Sequence, residues 1–135
     1  MSKYIFLAFL SISFGINAVE IEPFPKAKIT VEQWQEYFSD VSNEFGDTKR
    51  IFEEQNLVVF SNDQLRANIA FTTENHAAHP AWVTRYVTQN NDSVNIAQIG
   101  YFAGEEAPFA KLFNEYAKLN DKVKENLKLE NGSVK

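Results

Sequence analysis

The chain has 135 residues, contains no cysteine and carries a formal net charge of −5 at neutral pH. This length allows one domain with its own core rather than two. The absence of cysteine excludes disulfides, thiolate nucleophiles and thiolate metal sites. The acidic charge argues against binding to nucleic acid, which requires a basic face.

Residues 1–18 have the pattern of a secretory signal peptide. Lys3 precedes an uncharged apolar run from Tyr4 to Ile16, and Ala18 supplies a small residue at the cleavage position. The run is shorter than the roughly 20 apolar residues of a membrane span. We therefore expect export and cleavage after Ala18, which removes Lys3 and changes the net charge from −5 to −6. An uncleaved anchor is the alternative.

The mature part is expected to begin with an extended lead-in at residues 19–28, which contain Pro23 and Pro25. A single domain is predicted over residues 29–127, followed by a polar tail at residues 128–135. Thr30 and Gln33 have the spacing of a capping box, and Gly46 is a typical helix terminator. A helix is therefore predicted between them, with apolar side chains at helical spacing: Val31, Trp34, Tyr37, Phe38, Val41 and Phe45.

Three to four antiparallel strands are predicted next, joined as a β-meander. The segments that combine β-branched and aromatic residues are Leu57 to Phe60, Asn68 to Thr73, Trp82 to Thr88 and Val94 to Ala103. Asp47 to Glu54 fits either a short helix or a strand. Within the last segment the apolar phase changes, which predicts a β-bulge near Ala97. A strand buried on both faces is the alternative.

A second, long helix is predicted to open at Gly104 to Pro108, with Pro108 in its first turn. Its apolar stripe is expected to be core: Phe109, Leu112, Phe113, Tyr116, Leu119, Val123 and Leu127. The sequence thus predicts an α+β fold, with an N-terminal helix, an antiparallel meander and a C-terminal helix on one sheet face. Two amphipathic helices that share one apolar sheet face would make two layers.

The C-terminal half of the mature chain resembles small exported bacterial proteins of uncharacterised function. The segments that carry the resemblance are Phe71 to Thr73, Ala78 to Arg85, Ile99 to Glu106, Phe109, and Leu112 with Phe113. The resemblance implies a bacterial source and a single domain. It implies no catalytic residue.

Glu74, His76 and His79 form the one cluster with chemical character. Two imidazoles three residues apart and a nearby carboxylate could ligate zinc or copper, although further ligands at a readable spacing are missing. An ordered connection between strands is the alternative. No other cofactor is indicated.

Arg85 lies between Val83 and Val87 on one face of its predicted strand. If that face is buried, the guanidinium needs a carboxylate, a bound anion or a partner. If the opposite face is buried, Arg85 is exposed to solvent.

The chain lacks the motifs of a serine nucleophile elbow and of a phosphate-binding loop. The sequence therefore favours a soluble, non-enzymatic binding or accessory domain in a bacterial periplasm or medium, with a protein partner that could be basic. A histidine-based metal-binding protein is the second hypothesis, and a hydrolase or isomerase with a pocket is the third.

Overall fold

A computed structural model describes residues 19–133, with side chains up to residue 126. The predicted signal peptide, residues 1–18, lies outside the described residues. Two α-helices and five strands follow one another along the chain, and the strands are joined in sequence. They are α1 (Val31–Phe45), β1 (Arg50–Phe52), β2 (Leu57–Asn62), β3 (Ala67–Thr72), β4 (Ala81–Asn90), β5 (Ser93–Phe102) and α2 (Glu106–Ser133).

The sheet is a meander in which each strand pairs antiparallel with the next, in the order β1-β2-β3-β4-β5. The α+β class and the meander are confirmed, but the sheet has five strands rather than three to four. The additional strand is β1, which pairs Ile51 with Val58. It lies between 3₁₀ turns at Gly46–Thr48 and Glu53–Gln55, so the ambiguous segment contains both helical turns and a strand.

Helix α1 begins and ends where its capping residues predict. The Thr30 side chain accepts a hydrogen bond from Gln33 N, the Gln33 side chain accepts one from Thr30 N, and Gly46 is the C-cap. The helix thus begins at Val31 rather than at the start of the chain. Its buried residues are Tyr37 and Val41, which face the sheet.

A first core lies between α1 and the sheet. It is dominated by aromatic rings: the Tyr37 ring stacks on Trp82 with 4.3 Å between centroids, and Phe38 meets Phe71 edge-on at 5.0 Å. The buried members are Ile29, Tyr37, Val41, Val58, Phe60, Ile69, Phe71, Trp82 and Tyr101.

A second core lies on the other face of the sheet, beneath α2. Its buried members are Leu57, Ala78, Ala81, Val83, Phe102, Phe109 and Leu112. The two helices therefore cover opposite faces, and the molecule has three layers, so the two-layer interpretation was wrong. The reason is that β2, β3 and β4 carry apolar side chains on both faces, and each face needs its own cover.

Strand β5 has no bulge. Its pairing with β4 is continuous from Ala81↔Phe102 to Asn90↔Ser93, so the predicted bulge near Ala97 was wrong. Ile96 faces α2 and Ile99 faces α1, and both are partly buried. The change of apolar phase reflects a strand that is covered on both faces.

The lead-in lies against the sheet without regular structure. Lys28 forms a parallel bridge to Phe102, where Phe102 N donates to Ala27 O and Ile29 N donates to Phe102 O. The Tyr101 hydroxyl donates to Phe24 O at 2.7 Å. This segment therefore covers the part of the first core that α1 leaves open.

Helix α2 continues to Ser133, so its backbone extends through much of the predicted polar tail. None of the described helices is long and apolar enough to cross a membrane.

Candidate functional site

The β3–β4 connection holds both histidines in two successive turns. His76 N donates to Thr73 O, and His79 N donates to His76 O. The His76 ring is fixed because its Nδ1 accepts a hydrogen bond from Ala78 N at 3.0 Å. The proton of neutral His76 therefore lies on Nε2.

His79 is anchored differently, against Thr72 and Trp34. Its Nδ1 lies 2.8 Å from Thr72 Oγ1, and its ring meets the Trp34 ring edge-on at 5.0 Å. The Thr72 hydroxyl donates to Ala81 O at 3.1 Å and accepts from Ala81 N at 2.9 Å. A neutral imidazole that carries its proton on Nδ1 fits this arrangement, because the single hydroxyl proton is then free for Ala81 O. The ring thus ties α1 to the ends of β3 and β4.

Burial lowers the pKa of both imidazoles. For His76 the effect of burial is largest, Glu115 opposes it, and His79 adds to it. For His79 burial is again largest, opposed by hydrogen bonding at the Thr72 backbone and by Glu74. Both rings are therefore neutral at pH 7.

The structure does not bring Glu74, His76 and His79 together as a metal-binding group. Among the described residues, no three His, Cys, Asp or Glu side chains are placed to hold a metal ion. Glu74 is exposed, and the Nδ1 atoms of both rings contact protein atoms. The observed contacts are those of an ordered strand connection.

Arg85 lies on the face of β4 that α2 covers, where it is half-buried. The guanidinium lies over the Tyr116 ring, 4.5 Å from its centroid, and Nη1 donates to Asn120 Oδ1 at 3.3 Å. The sequence analysis assumed that one face of this strand is buried and the other exposed. In the structure both faces are covered, since Trp82 and Thr84 on the other face are fully buried as well.

A groove of about 360 Å³ lies between α2 and the end of the sheet nearest His76. We call it the α2 groove. Its lining combines three leucines with a carboxylate, a phenol, an amide and an imidazole: Gln55, Leu57, His76, Leu112, Glu115, Tyr116 and Leu119. The His76 imidazole and the Glu115 carboxylate are its polar groups with acid–base chemistry, but no residue in this lining is an activated nucleophile.

The α2 groove was not predicted from the sequence. Tyr116 and Leu119 were interpreted as core because they continue the apolar stripe of α2 at helical spacing. Leu119 is in fact 44% exposed. The stripe predicts which face of the helix is apolar, but it does not show where the sheet beneath the helix ends.

An exposed strip follows β1 and the turn after it; we call it the acidic edge. It consists of Ile51, Phe52, Glu53 and Glu54, which line a shallow groove with Gln55. Ile51 is 59% exposed and Phe52 is 39% exposed. Strand β1 is the last in the sheet, so the acidic edge combines an open strand edge, two apolar side chains and two carboxylates, and the exposed Arg50 of the same strand lies next to Phe52.

No protein-family model, curated protein or solved structure matches this chain.

Proposed function

We propose that this protein is an exported, non-enzymatic binding domain that recognises a basic protein partner through the acidic edge. The observation that carries this proposal is the adjacent exposure of Ile51 and Phe52 on the terminal strand of the sheet. Singly exposed apolar residues are normal on protein surfaces, and Val31, Leu65 and Leu119 are examples of these. Ile51 pairs with Val58 and Phe52 with Leu57, so the two side chains point to opposite faces of the sheet and leave both sides of its terminal strand uncovered.

The edge of a sheet is a general binding surface, since an extended segment can add to it as a further strand. Proteins protect such edges with short strands, charges or covering segments. Here the protection is partial: the side chain of Thr48 accepts a hydrogen bond from Ser61 N at 2.8 Å, beside β1. Strand β1 itself keeps all three residues exposed.

The net charge of the mature chain favours a basic partner, since it is −6 after loss of Lys3. At the edge itself, Glu53 and Glu54 follow the apolar pair and Lys49 and Arg50 precede it, with the Arg50 guanidinium 5.9 Å from the centroid of the Phe52 ring. Complementary charges accelerate association and select among partners. An exported enzyme with a basic surface, inhibited by this domain, is one concrete form of the proposal.

Export is part of the proposal and is supported by the pattern of residues 1–18. The absence of cysteine favours a bacterial periplasm or medium, because small secreted domains in animals usually depend on disulfides. The aromatic side chains of the two cores compensate for the missing disulfides. Nine Phe, four Tyr and two Trp remain after residue 18.

The test is site-specific photo-crosslinking in the exported fraction. A benzophenone side chain replaces Phe52, and a matched chain carries it at Leu65, which is exposed to a similar degree in the β2–β3 turn. We expect one discrete cross-linked partner from position 52 and none from position 65. Charge reversal by Glu53→Lys with Glu54→Lys should weaken the product. Identical patterns from the two positions, or no product from either, would contradict the proposal.

A further inference from the structure

A row of polar side chains crosses the sheet beneath α2. The pairing places Ser61 beside Asn68, Asn68 beside Arg85 and Arg85 beside Gln98, and directly paired residues share one face of a sheet. All four are partly buried. The neighbouring row on the same face is apolar or small: Val59, Ala70, Val83 and Gly100.

The acceptor atoms of this row are already engaged. Ser61 Oγ donates to Asn68 Oδ1 at 2.9 Å, and Asn120 Nδ2 donates to Gln98 Oε1. Asn120 Oδ1 accepts from Arg85, while Gln98 Nε2 donates to Phe113 O at 2.8 Å. Each amide oxygen in the row therefore has a donor.

The polar row has more hydrogen-bond donors than its acceptors can engage. A guanidinium has five N–H groups, and in the described part of the chain Arg85 donates one of them, to Asn120. The Nδ2 of Asn68 has no acceptor among the same residues. A site with engaged acceptors and remaining donors is complementary to a group that only accepts, and a carboxylate is such a group.

In the described part of the chain, no carboxylate forms an ion pair with Arg85. Burial lowers the pKa of Arg85, and the opposing influence comes from Tyr116, whose own pKa is raised by burial. Tyr116 is therefore neutral, and its ring stabilises the cation without neutralising it. A partly buried ion without a counter-ion is costly, and one bound negative charge would balance it.

The geometry points to a binding site for a small apolar monocarboxylate, with the carboxylate on Arg85 and Asn68 and the apolar body in the α2 groove. Tyr116 connects the groove with Arg85, because Tyr116 lines the groove and its ring lies against the Arg85 guanidinium. A volume of about 360 Å³ is at the lower end of small-molecule sites. A single guanidinium matches one negative charge better than a dianionic phosphate. The α2 groove shares Gln55 with the shallow groove at the acidic edge, but the residues proposed to bind the carboxylate are not part of that edge.

Hexanoate is the probe, with 1-hexanol and inorganic phosphate as comparison ligands. Titration of the purified protein, followed by the NMR signals of Arg85 Nε–H and the Asn68 side-chain amide, should show saturable shifts with hexanoate below about 10 mM, a range typical of weak small ligands. Hexanol should bind at least about tenfold more weakly, because it offers no charge. Equal binding of hexanol, or shifts with phosphate but not hexanoate, would overturn the assignment.

Two variants separate binding from folding. Arg85→Met keeps the length of the side chain and should weaken hexanoate binding at least about tenfold, whereas Arg50→Met, on the same sheet face but exposed, should not. Asn68→Asp gives Arg85 an internal carboxylate and keeps the bond from Ser61. This variant should raise the melting temperature and also lose hexanoate binding. Unchanged affinity in either the Arg85 or the Asn68 variant would overturn the proposal.

Discussion

Gly100 lies on the face of β5 that α2 covers, and aromatic rings pack directly on its backbone. A Cβ atom there would lie 2.7 Å from Phe109 Cζ and 3.0 Å from Phe113 Cδ1. We expect Gly100→Ala to lower the free energy of unfolding by about 1–3 kcal/mol, the usual cost of overpacking a core. Urea denaturation measures the change.

Gly46 is the matched control for this substitution. Nothing lies within 4 Å of a Cβ atom added there, and its φ of −57° suits any residue. Gly46→Ala should leave stability nearly unchanged or raise it by up to about 1 kcal/mol through the unfolded state. Equal losses at the two positions would contradict the packing of α2 on Gly100.

The lowered pKa values of His76 and His79 predict a pH dependence of stability. Between the ordinary histidine pKa of 6.5 and the lower folded values, the unfolded chain binds more protons than the folded one. The free energy of unfolding should therefore fall as the pH falls through 6.5, and the loss should level off below the folded pKa values. Denaturation midpoints between about pH 5.5 and 7.5 measure it.

The control for this prediction replaces both histidines by asparagine, which can reproduce the bonds made at Nδ1. In that double variant the dependence around pH 6.5 should be reduced. A parent protein that becomes more stable on acidification through this range would contradict the lowered pKa of these partly buried imidazoles.

Zinc and copper should leave the melting temperature unchanged at micromolar concentration. A metal that bound the folded protein would stabilise it by mass action, but His76 and His79 both direct Nδ1 at protein atoms. Melting scans with each ion are compared with scans of a His76→Ala, His79→Ala variant. A rise that occurs in the parent, disappears at acidic pH and is absent from the variant would establish the metal site.

At the scale of the element, the start of α1 depends on the Thr30 side chain. Thr30→Ala removes the hydrogen bond from Gln33 N, which measures 3.1 Å, and should lower the free energy of unfolding by about 1 kcal/mol. Ser39→Ala is the control, because Ser39 is exposed within the same helix. That change should be neutral or slightly stabilising, since alanine is the better helix former. Chemical denaturation of both variants provides the comparison.

Local signals explain which elements could be predicted. The capping box at Thr30 acts within one helical turn, so the start of α1 follows from the sequence alone. The α-helix also ends at Gly46 as predicted, but this residue has right-handed helical φ and ψ and continues into a 3₁₀ turn, so the special conformations of glycine do not cause that end. Strand β1 has three residues, and Ile51 becomes part of a strand through its pairing with Val58. Such a strand has too few residues for a periodic pattern, and the sequence therefore left this segment open.

Strand β5 shows the complementary case, in which a clear pattern led to the wrong feature. A bulge was inferred on the assumption that one face of the sheet meets solvent. In the structure α2 covers Gln98 and Gly100, while Ile99 and Tyr101 pack in the first core. Because both faces of β5 are covered, no bulge is needed to bury its apolar side chains. The pattern of apolar residues shows that β5 is buried, but it does not show whether one layer or two layers cover the strand.

At the scale of the whole molecule, the candidate sites also depend on how the elements are arranged in space, which the sequence pattern does not give. The sequence identified Arg85 as a residue whose environment mattered. Its partners Tyr116 and Asn120 are distant in sequence and meet it because α2 runs along β5 and over β4. The acidic edge likewise depends on the order of strands, which makes β1 terminal. Neither arrangement could be predicted without the topology.

The last prediction concerns the first residue of the mature chain, and it follows from the contacts of the lead-in. Phe24 packs against Trp82 and Tyr101, with ring centroids 6.4 Å and 5.8 Å apart, and the Tyr37 hydroxyl donates to Glu20 O. Val19 also contacts the first core. Cleavage after Ala18 would therefore preserve every residue of this cover, whereas cleavage some residues later would expose buried rings.

We expect N-terminal sequencing of the exported protein to give Val19 as the first residue. A chain that starts at Lys26 should lose at least about 2 kcal/mol of stability, since it removes the aromatic cover of the first core. Its tryptophan fluorescence should move to longer wavelength, because Trp82 is fully buried in the parent. The control is Phe24→Leu in the chain that starts at Val19, which keeps an apolar cover and should retain most of the stability. A natural mature form that begins beyond Phe24, or a Lys26 chain as stable as the Val19 chain, would show that the lead-in is dispensable.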